Sequence, residues 1–201
     1  MSTGGDGLRC GCAGATVWFT GPPSSGAATL ATALADRLRA LHHRVVILDD
    51  DTPYATPPIA PSSTGEDRSR HGLRTGLAAE ALARNGLITL VAAAAPSARD
   101  RAAVRRRHTA GGTPYLEVHL TTPQPGRARR TDEGLYARHW AGWIAGPTAR
   151  HDPDQAPAEV DLCLEARNQP LGPSVAAVHA LLTERGVVRS RRIDRPSAAP
   201  I

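Results

Sequence analysis

Gly21 and Gly26 stand five positions apart, between an apolar run and an Ala/Leu-rich stretch. This is the glycine spacing of the phosphate-cradling loop G-x-x-x-x-G-K-[ST]. In that loop backbone N–H groups hold phosphate oxygens, the lysine reaches the β/γ-phosphates and the hydroxyl takes magnesium. Here Ala27 and Ala28 occupy the lysine and hydroxyl positions. Ser24 and Ser25 offer hydroxyl donors, whereas Pro22 and Pro23 remove two N–H groups. Thr29 lies one residue past the magnesium position, about 100° further round a helix, and is a poor substitute. Losing the lysine removes a charge-assisted bond worth about 1.5–3 kcal/mol in binding. The spacing alone also fits a glycine-rich strand-to-helix turn that binds nothing.

A second group of candidates follows the next apolar run, where Asp49, Asp50 and Asp51 are consecutive. Asp49 and Asp51 have the chemistry of a base or a ligand to metal-bound water beside a hydroxyl acceptor; an exposed acidic turn has the same composition. Arg68 and Arg74 can clamp a sulfate or phosphate bidentately, or lie as solvated charges on a helix. All 24 basic residues are arginine, so no lysine serves as phosphate ligand, base or Schiff-base former. Cys10, Cys12 and Cys163 give neither a disulfide framework nor zinc-finger spacing, and no metal ligand set is assigned. Arg105-Arg106-Arg107 with His108, and Arg127, Arg129 and Arg130, read as solvated faces. Trp140 and Trp143 suit a stacking surface, a core or a subunit contact.

Alternating apolar and polar periods supply the elements that position these groups. Strands are expected at Thr16–Thr20, Arg44–Leu48, Leu87–Ala93, Tyr115–Leu120 and Val160–Leu164. Gly26–Leu41 reads as a helix with Leu30, Leu34, Leu38 and Leu41 on one stripe. Glu66–Asn85 reads as a second, burying Leu73, Leu77, Ala81 and Leu82, with Asn85-Gly86 as its stop. Further helices are expected at Ser97–Arg107, from Thr122 to about Arg130, at Gly134–Ile144 and at Pro173–Arg185. Four prolines (Pro53, Pro57, Pro58, Pro61) exclude a helix between Thr52 and Gly65. Strands alternating with helices imply a mainly parallel five-stranded sheet covered on both faces, an α/β/α sandwich. Ligands of such sheets sit beyond the carboxyl ends of the strands, where both candidate groups fall.

The chain has 201 residues, 21.1 kDa and a net charge of +5, enough for one domain with a sizeable core. Residues 14–186 form that domain, between a disordered head (1–13) and an Arg-rich disordered tail (187–201) with nothing to bury. Only seven residues are aromatic, three Trp, three Tyr and one Phe; the core is therefore aliphatic. No apolar run approaches bilayer-spanning length and the head has no signal-like hydrophobic stretch, so a cytoplasmic protein away from membranes is expected. The arginines are not interleaved with aromatics, which makes a nucleic-acid-associated role the weakest of the classes considered.

The ordered series of motifs resembles the adenylylsulfate (APS) kinases, which transfer the ATP γ-phosphate to the 3′-hydroxyl of adenylylsulfate. Ala15–Gly21 match the family's opening A-T-V-W-F-T-G letter for letter, and Ile47-Leu48-Asp49-Asp50-Asp51 stand at its V-L-D-G-D strand end. Glu66-Asp67-Arg68, Gly86-Leu87-Ile88, Pro96, Asp100-Arg101, Glu117-Val118, Thr122-Pro123, Gly134-Leu135-Tyr136, Asp152-Pro153 and Ala156-Pro157 continue the series. The resemblance runs from about Ala13 to Leu182. It implies a P-loop NTPase-like fold, ATP with Mg2+, a nucleotide-like ligand, a possible homodimer, and carboxylates near the acceptor hydroxyl at Asp49 and Asp51. The loop residues Gly21, Ser24, Ser25, Gly26, Ala27, Ala28 and Thr29 then form the nucleotide site, with Arg68 and Arg74 on the acceptor.

Departures fall on ligand positions. The family's first acceptor arginine falls on Tyr54, its adenine-stacking Phe on Ser63, and its Asn after the E-D-R triplet on His71. The first of its Arg pair is Leu73, although Arg74 remains, and the lysine of K-G-L-Y is Glu133. The I-S-P-Y segment reads Ala94-Ala95-Pro96-Ser97 and the F-T-G lid residues fall on Pro147-Thr148-Ala149. Scaffold residues persist while ligands of both sites are lost. A catalytically weakened member that retains at most nucleotide-like ligand or partner binding is the expectation, with a phosphotransferase of altered acceptor specificity as the alternative.

Overall fold

The computed structural model describes residues 14–22, 25–49, 65–93, 97–121, 159–165 and 170–188, with the side chains of residues 65 and 68 left aside. The element order is β1 (Ala15–Thr20), α1 (Ala27–Ala40), β2 (Val45–Leu48), α2 (Gly65–Arg84), β3 (Ile88–Val91), α3 (Ala98–Ala110), β4 (Tyr115–Thr121), β5 (Leu162–Glu165) and α4 (Leu171–Glu184). The five strands form one sheet in the order β2-β3-β1-β4-β5, every neighbouring pair parallel. The expected helices over 122–130 and 134–144, and the head and most of the tail, lie outside the described residues.

β1 is the central strand and all six of its residues are buried, which its run of Val17, Trp18 and Phe19 permits. Side chains alternate across it. Val17 and Phe19 join Leu90, Leu116, Val118 and Leu120 in a core shared with Leu30, Leu34 and Leu38 of α1 and Val178 and Leu182 of α4. On the other face Trp18, Val91 and Tyr115 meet Ala79 of α2 and Val104 of α3. Trp18 donates its indole N–H to the Ala93 carbonyl at 3.3 Å, so the largest buried side chain leaves no donor unmet. Ser97 caps α3, its hydroxyl accepting from the Asp100 N–H at 3.0 Å.

Several details differ from the sequence expectations. Leu73, Leu77 and Ala81 lie on the exposed side of α2, whereas His71, Thr75, Gly76, Ala79, Glu80 and Ala83 turn inward. A Cβ at Gly76 would fall 2.5 Å from Val104 Cγ2. The two helices therefore meet through small residues, and bulky leucines cannot take that face. Leu41 closes the α1 stripe in the sequence but is 39% exposed, because the helix has already ended at Ala40. Val187 and Val188 belong in sequence to the tail expected to have nothing to bury. Both are buried, and their N–H groups bond to the Leu182 carbonyl. Among the described residues no helix is long and apolar enough to cross a membrane.

Candidate functional site

The glycine loop leaves β1 at Thr20 and enters α1 at Ala27. Gly21 has φ 145° and Gly26 φ 92°, both in the half of conformational space that side chains avoid. At Gly21 an added Cβ would lie 2.4 Å from the Leu120 carbonyl oxygen, so the chain exits pressed against β4. The Ser25 N–H bonds to the Pro22 carbonyl at 3.0 Å, closing a turn, and Ser25 is buried. Gly26 then caps α1 with no side-chain hydrogen bond and no acidic residue in the first turn. The N–H groups of the first turn thus have no intrahelical or cap acceptor, and the positive end of the helix dipole points out of the loop. That arrangement suits an anion.

Ala27 is half-buried while Ala28 and Thr29 are exposed. Thr29 borders an open groove of about 460 Å3, lined by Ala28, Thr32, Ala33, Asp36 and Leu171. Thr29 therefore lies along the outer side of α1, as its 100° offset implies. Neither Ala27 nor Ala28 brings a charge or a hydroxyl to the loop. The described loop accordingly does not fit a magnesium ion held by side chains at residues 27 and 28. Ser24 and Asp51 lie outside the described residues.

Asp49 follows β2 directly and is half-buried, with contacts of its own. β3 lies between β2 and β1, so Asp49 stands two strand spacings from the loop root, roughly 10 Å. That separation excludes direct contact between the loop root and the carboxylate. Arg68 lies in the first turns of α2 and Arg74 further along it, exposed. His71, where the family has Asn, turns inward and is 5% exposed. Among the described residues no group of three or more His, Cys, Asp and Glu is placed to hold a metal.

A buried charge cluster, not assigned from the sequence, lies on β4 beside β1. Glu117, in β4, is 3% exposed and its Oε1 lies 2.9 Å from Arg101 Nε, at ion-pair distance though not aligned as a hydrogen bond. Arg105 Nη2 is 3.9 Å from Glu117 Oε2 and donates to Asp161 Oδ2 at 3.0 Å. Asp161 Oδ2 also accepts from the Glu117 N–H at 2.9 Å, and its Oδ1 from Arg185 at 2.8 Å. Burial pushes the Glu117 carboxyl above its ordinary pKa; Arg101 and Arg105 oppose the shift, as does a hydrogen bond from Thr20, and Asp161 adds to it. The available signal was a glutamate inside the apolar run Tyr115–Leu120, since a buried carboxylate is seldom unpaired.

The basic helix α3 is correspondingly not a solvated face throughout. His108 is fully buried, with Nδ1 donating to the Val104 carbonyl and Nε2 accepting from the Thr16 hydroxyl, both at 2.9 Å. Burial lowers its pKa, so the imidazole is held neutral. Arg107 Nε donates to Glu80 Oε2 at 2.7 Å, and Arg105 also lies over the Tyr115 ring, 4.9 Å from its centre. Carboxylates thus engage three of the arginines that a nucleic-acid surface would need free.

An all-parallel sheet with a glycine loop joining its central strand to a helix N-terminus defines a P-loop α/β fold of the nucleotide-binding type. The adenylylsulphate kinase family matches residues 13–165. A probable adenylyl-sulfate kinase of Aeropyrum pernix is 33% identical over 174 residues, 87% of this chain and 95% of its own. The adenylyl-sulfate kinase of a Picosynechococcus species is 34% identical over 175 residues, 87% of this chain and 97% of its own. The structure of the Mycobacterium tuberculosis APS kinase, in complex with AMPPNP and APS, superposes with a TM-score of 0.68 at 30% identity, covering 84% of this chain and 97% of that one. The chain belongs to the adenylylsulfate kinase family.

Proposed function

We propose that this adenylylsulfate-kinase-like protein binds a nucleotide-like ligand at Gly21–Thr29 and transfers phosphate only weakly. The reading is carried by Ala27 and Ala28 in the first turn of α1, where neither a charge nor a hydroxyl reaches the loop. Backbone N–H groups and the helix end still attract a phosphate. Phosphoryl transfer depends mainly on electrostatic stabilisation of the transferring group, which backbone amides alone supply poorly. In this reading Mg2+ arrives with ATP, held by phosphate oxygens and water, with Asp49 and Asp51 on the acceptor side. Arg68 and Arg74 are the candidate contacts to the anion of the second ligand. A homodimer belongs to the same proposal and is checked by light scattering.

A second reading, phosphotransfer to an altered acceptor, is favoured by α2, which keeps Arg74 while Leu73 and His71 replace family ligands on the same helix. Thermal shift with ADP, ATP and adenylylsulfate, each with and without Mg2+, tests binding. A ligand at 100 times its Kd adds about 2.7 kcal/mol. A shift with ADP or ATP is expected. No shift with any of the three overturns the binding reading.

A further inference from the structure

We infer that Asp161 is a latch that seats the β5–α4 unit, and with it one wall of the groove beside the first turns of α1. Asp161 lies directly before β5 and its side chain is 7% exposed. Its N–H donates to the Glu117 carbonyl at 2.9 Å, and its Oδ2 accepts from the Glu117 N–H at 2.9 Å. One residue thus takes both backbone groups of Glu117, one step before Val118 pairs with Leu162 in the β4–β5 ladder. The same Oδ2 accepts from Arg105 Nη2 of α3 at 3.0 Å. Oδ1 accepts at 2.8 Å from Nη2 of Arg185, which follows α4. Arg105 also donates to the Glu159 carbonyl at 3.1 Å, fixing the approach to the strand. Hydrogen bonds between a guanidinium and a carboxylate are about twice as strong as neutral ones.

The unit that Asp161 holds is peripheral. β5 ends the described sheet, is four residues long and leaves Cys163 and Glu165 exposed. α4 shares one apolar core with α1, Val178 and Leu182 with Leu34 and Leu38. An edge strand and a helix held on one apolar face open at lower free energy than central strands. Apolar contact is also non-directional, so it does not fix how α4 is placed along α1. The bonds at Asp161 do, because they join the end of α4 to α3 and β4 at one carboxylate. The other end of α4 reaches the candidate site. Leu171, its first residue, lines the groove with Ala28, Thr29 and Thr32. The seating of α4 therefore sets the width of that groove. This consequence for ligand binding rests on the reading proposed above; the latch itself does not.

Hydrogen exchange on the full chain, as wild type, Asp161→Asn, Arg185→Leu and Arg185→Lys, tests the latch without a ligand. Asparagine keeps the shape of the side chain and removes its charge. Leucine removes the charge at residue 185, and lysine keeps it. In Asp161→Asn and Arg185→Leu the amides of residues 162–165 and 175–188 should exchange about tenfold faster or more, with β1, β3 and α2 unchanged. Arg185→Lys should stay within about twofold of wild type. If Asp161→Asn does not fold, the Arg185 pair decides. Unchanged exchange in Arg185→Leu, or an increase spread evenly over β1, β3 and α2 as well, overturns the latch. Titration of wild type and Arg185→Leu with ADP then separates the two readings. A Kd raised about threefold or more in the variant supports the groove wall, and an equal Kd overturns it. No binding of ADP to the wild type refutes the nucleotide reading, while the exchange pattern still decides the latch.

Discussion

The two loop glycines are required for different reasons, and their alanine variants should differ accordingly. At Gly26 (φ 92°) nothing lies within 4 Å of an added Cβ, so Gly26→Ala meets only backbone strain. A single left-handed residue costs about 1–2 kcal/mol. Gly21→Ala meets strain as well, about 1–3 kcal/mol for a conformation open essentially to glycine alone. Its Cβ would also fall 2.4 Å from the Leu120 carbonyl oxygen, about 1 Å inside an ordinary contact, and backbone cannot swing aside like a side-chain tip. Overpacking adds about 1–3 kcal/mol, for a total of about 2–6 kcal/mol. For a domain of this size each kcal/mol lowers Tm by about 2–4 °C. Urea denaturation of both variants gives the comparison. Gly26→Ala should fold and lose its ADP shift, whereas Gly21→Ala should be the less stable of the two. Equal losses, or Gly21→Ala within about 1 kcal/mol of wild type, would refute the close approach of the loop to β4.

Other consequences follow from the buried polar contacts. Thr16→Val preserves volume but leaves the His108 Nε2 lone pair unmet, at a cost of about 1–3 kcal/mol; Thr16→Ser should recover most of the hydrogen-bond loss in the same melts. Burial lowers the pKa of His43, His108 and His179 from 6.5, with Arg37 and His43 adding to the shift at His179. A lowered histidine pKa means the unfolded chain takes up protons first. The stabilisation is therefore complete above pH 6.5 and is lost as pH falls through the lowered values. Tm measured from pH 8 to pH 5 should fall on the acid side, and His108→Gln should flatten part of that slope. The exposed Glu66–Arg70 pair on α2 is a control: Glu66→Ala should change stability by less than about 1 kcal/mol.

Much of the scaffold could be read from local patterns. The run Thr16–Thr20, the glycines after it and the leucines at 30, 34 and 38 are short-range signals, and each lies where its period places it. The buried side of α2 could not be read in this way. Hydropathy selects Leu73 and Leu77, yet Gly76 against Val104 and Glu80 against Arg107 decide the packing. Those are properties of the neighbouring helix and not of α2. His108 and Arg101 were likewise hidden in a basic helix, because their partners Thr16 and Glu117 lie on strands distant in sequence. Of the candidate site, the two positive-φ glycines and the helix end were legible. Its lateral separation from Asp49 needed the strand order, which no spacing in the chain reveals.

The measurement that bears most directly on the account is formation of 3′-phosphorylated adenylylsulfate by the purified protein with ATP, Mg2+ and adenylylsulfate. Kinases of ordinary competence turn over at about 1–100 s⁻¹. Without a charge at residue 27 or a hydroxyl at residue 28, turnover should lie at least about 100-fold below that range. Ala27→Lys with Ala28→Ser should raise it. Turnover of the unaltered chain within the ordinary range would contradict the claim that its loop transfers phosphate only weakly.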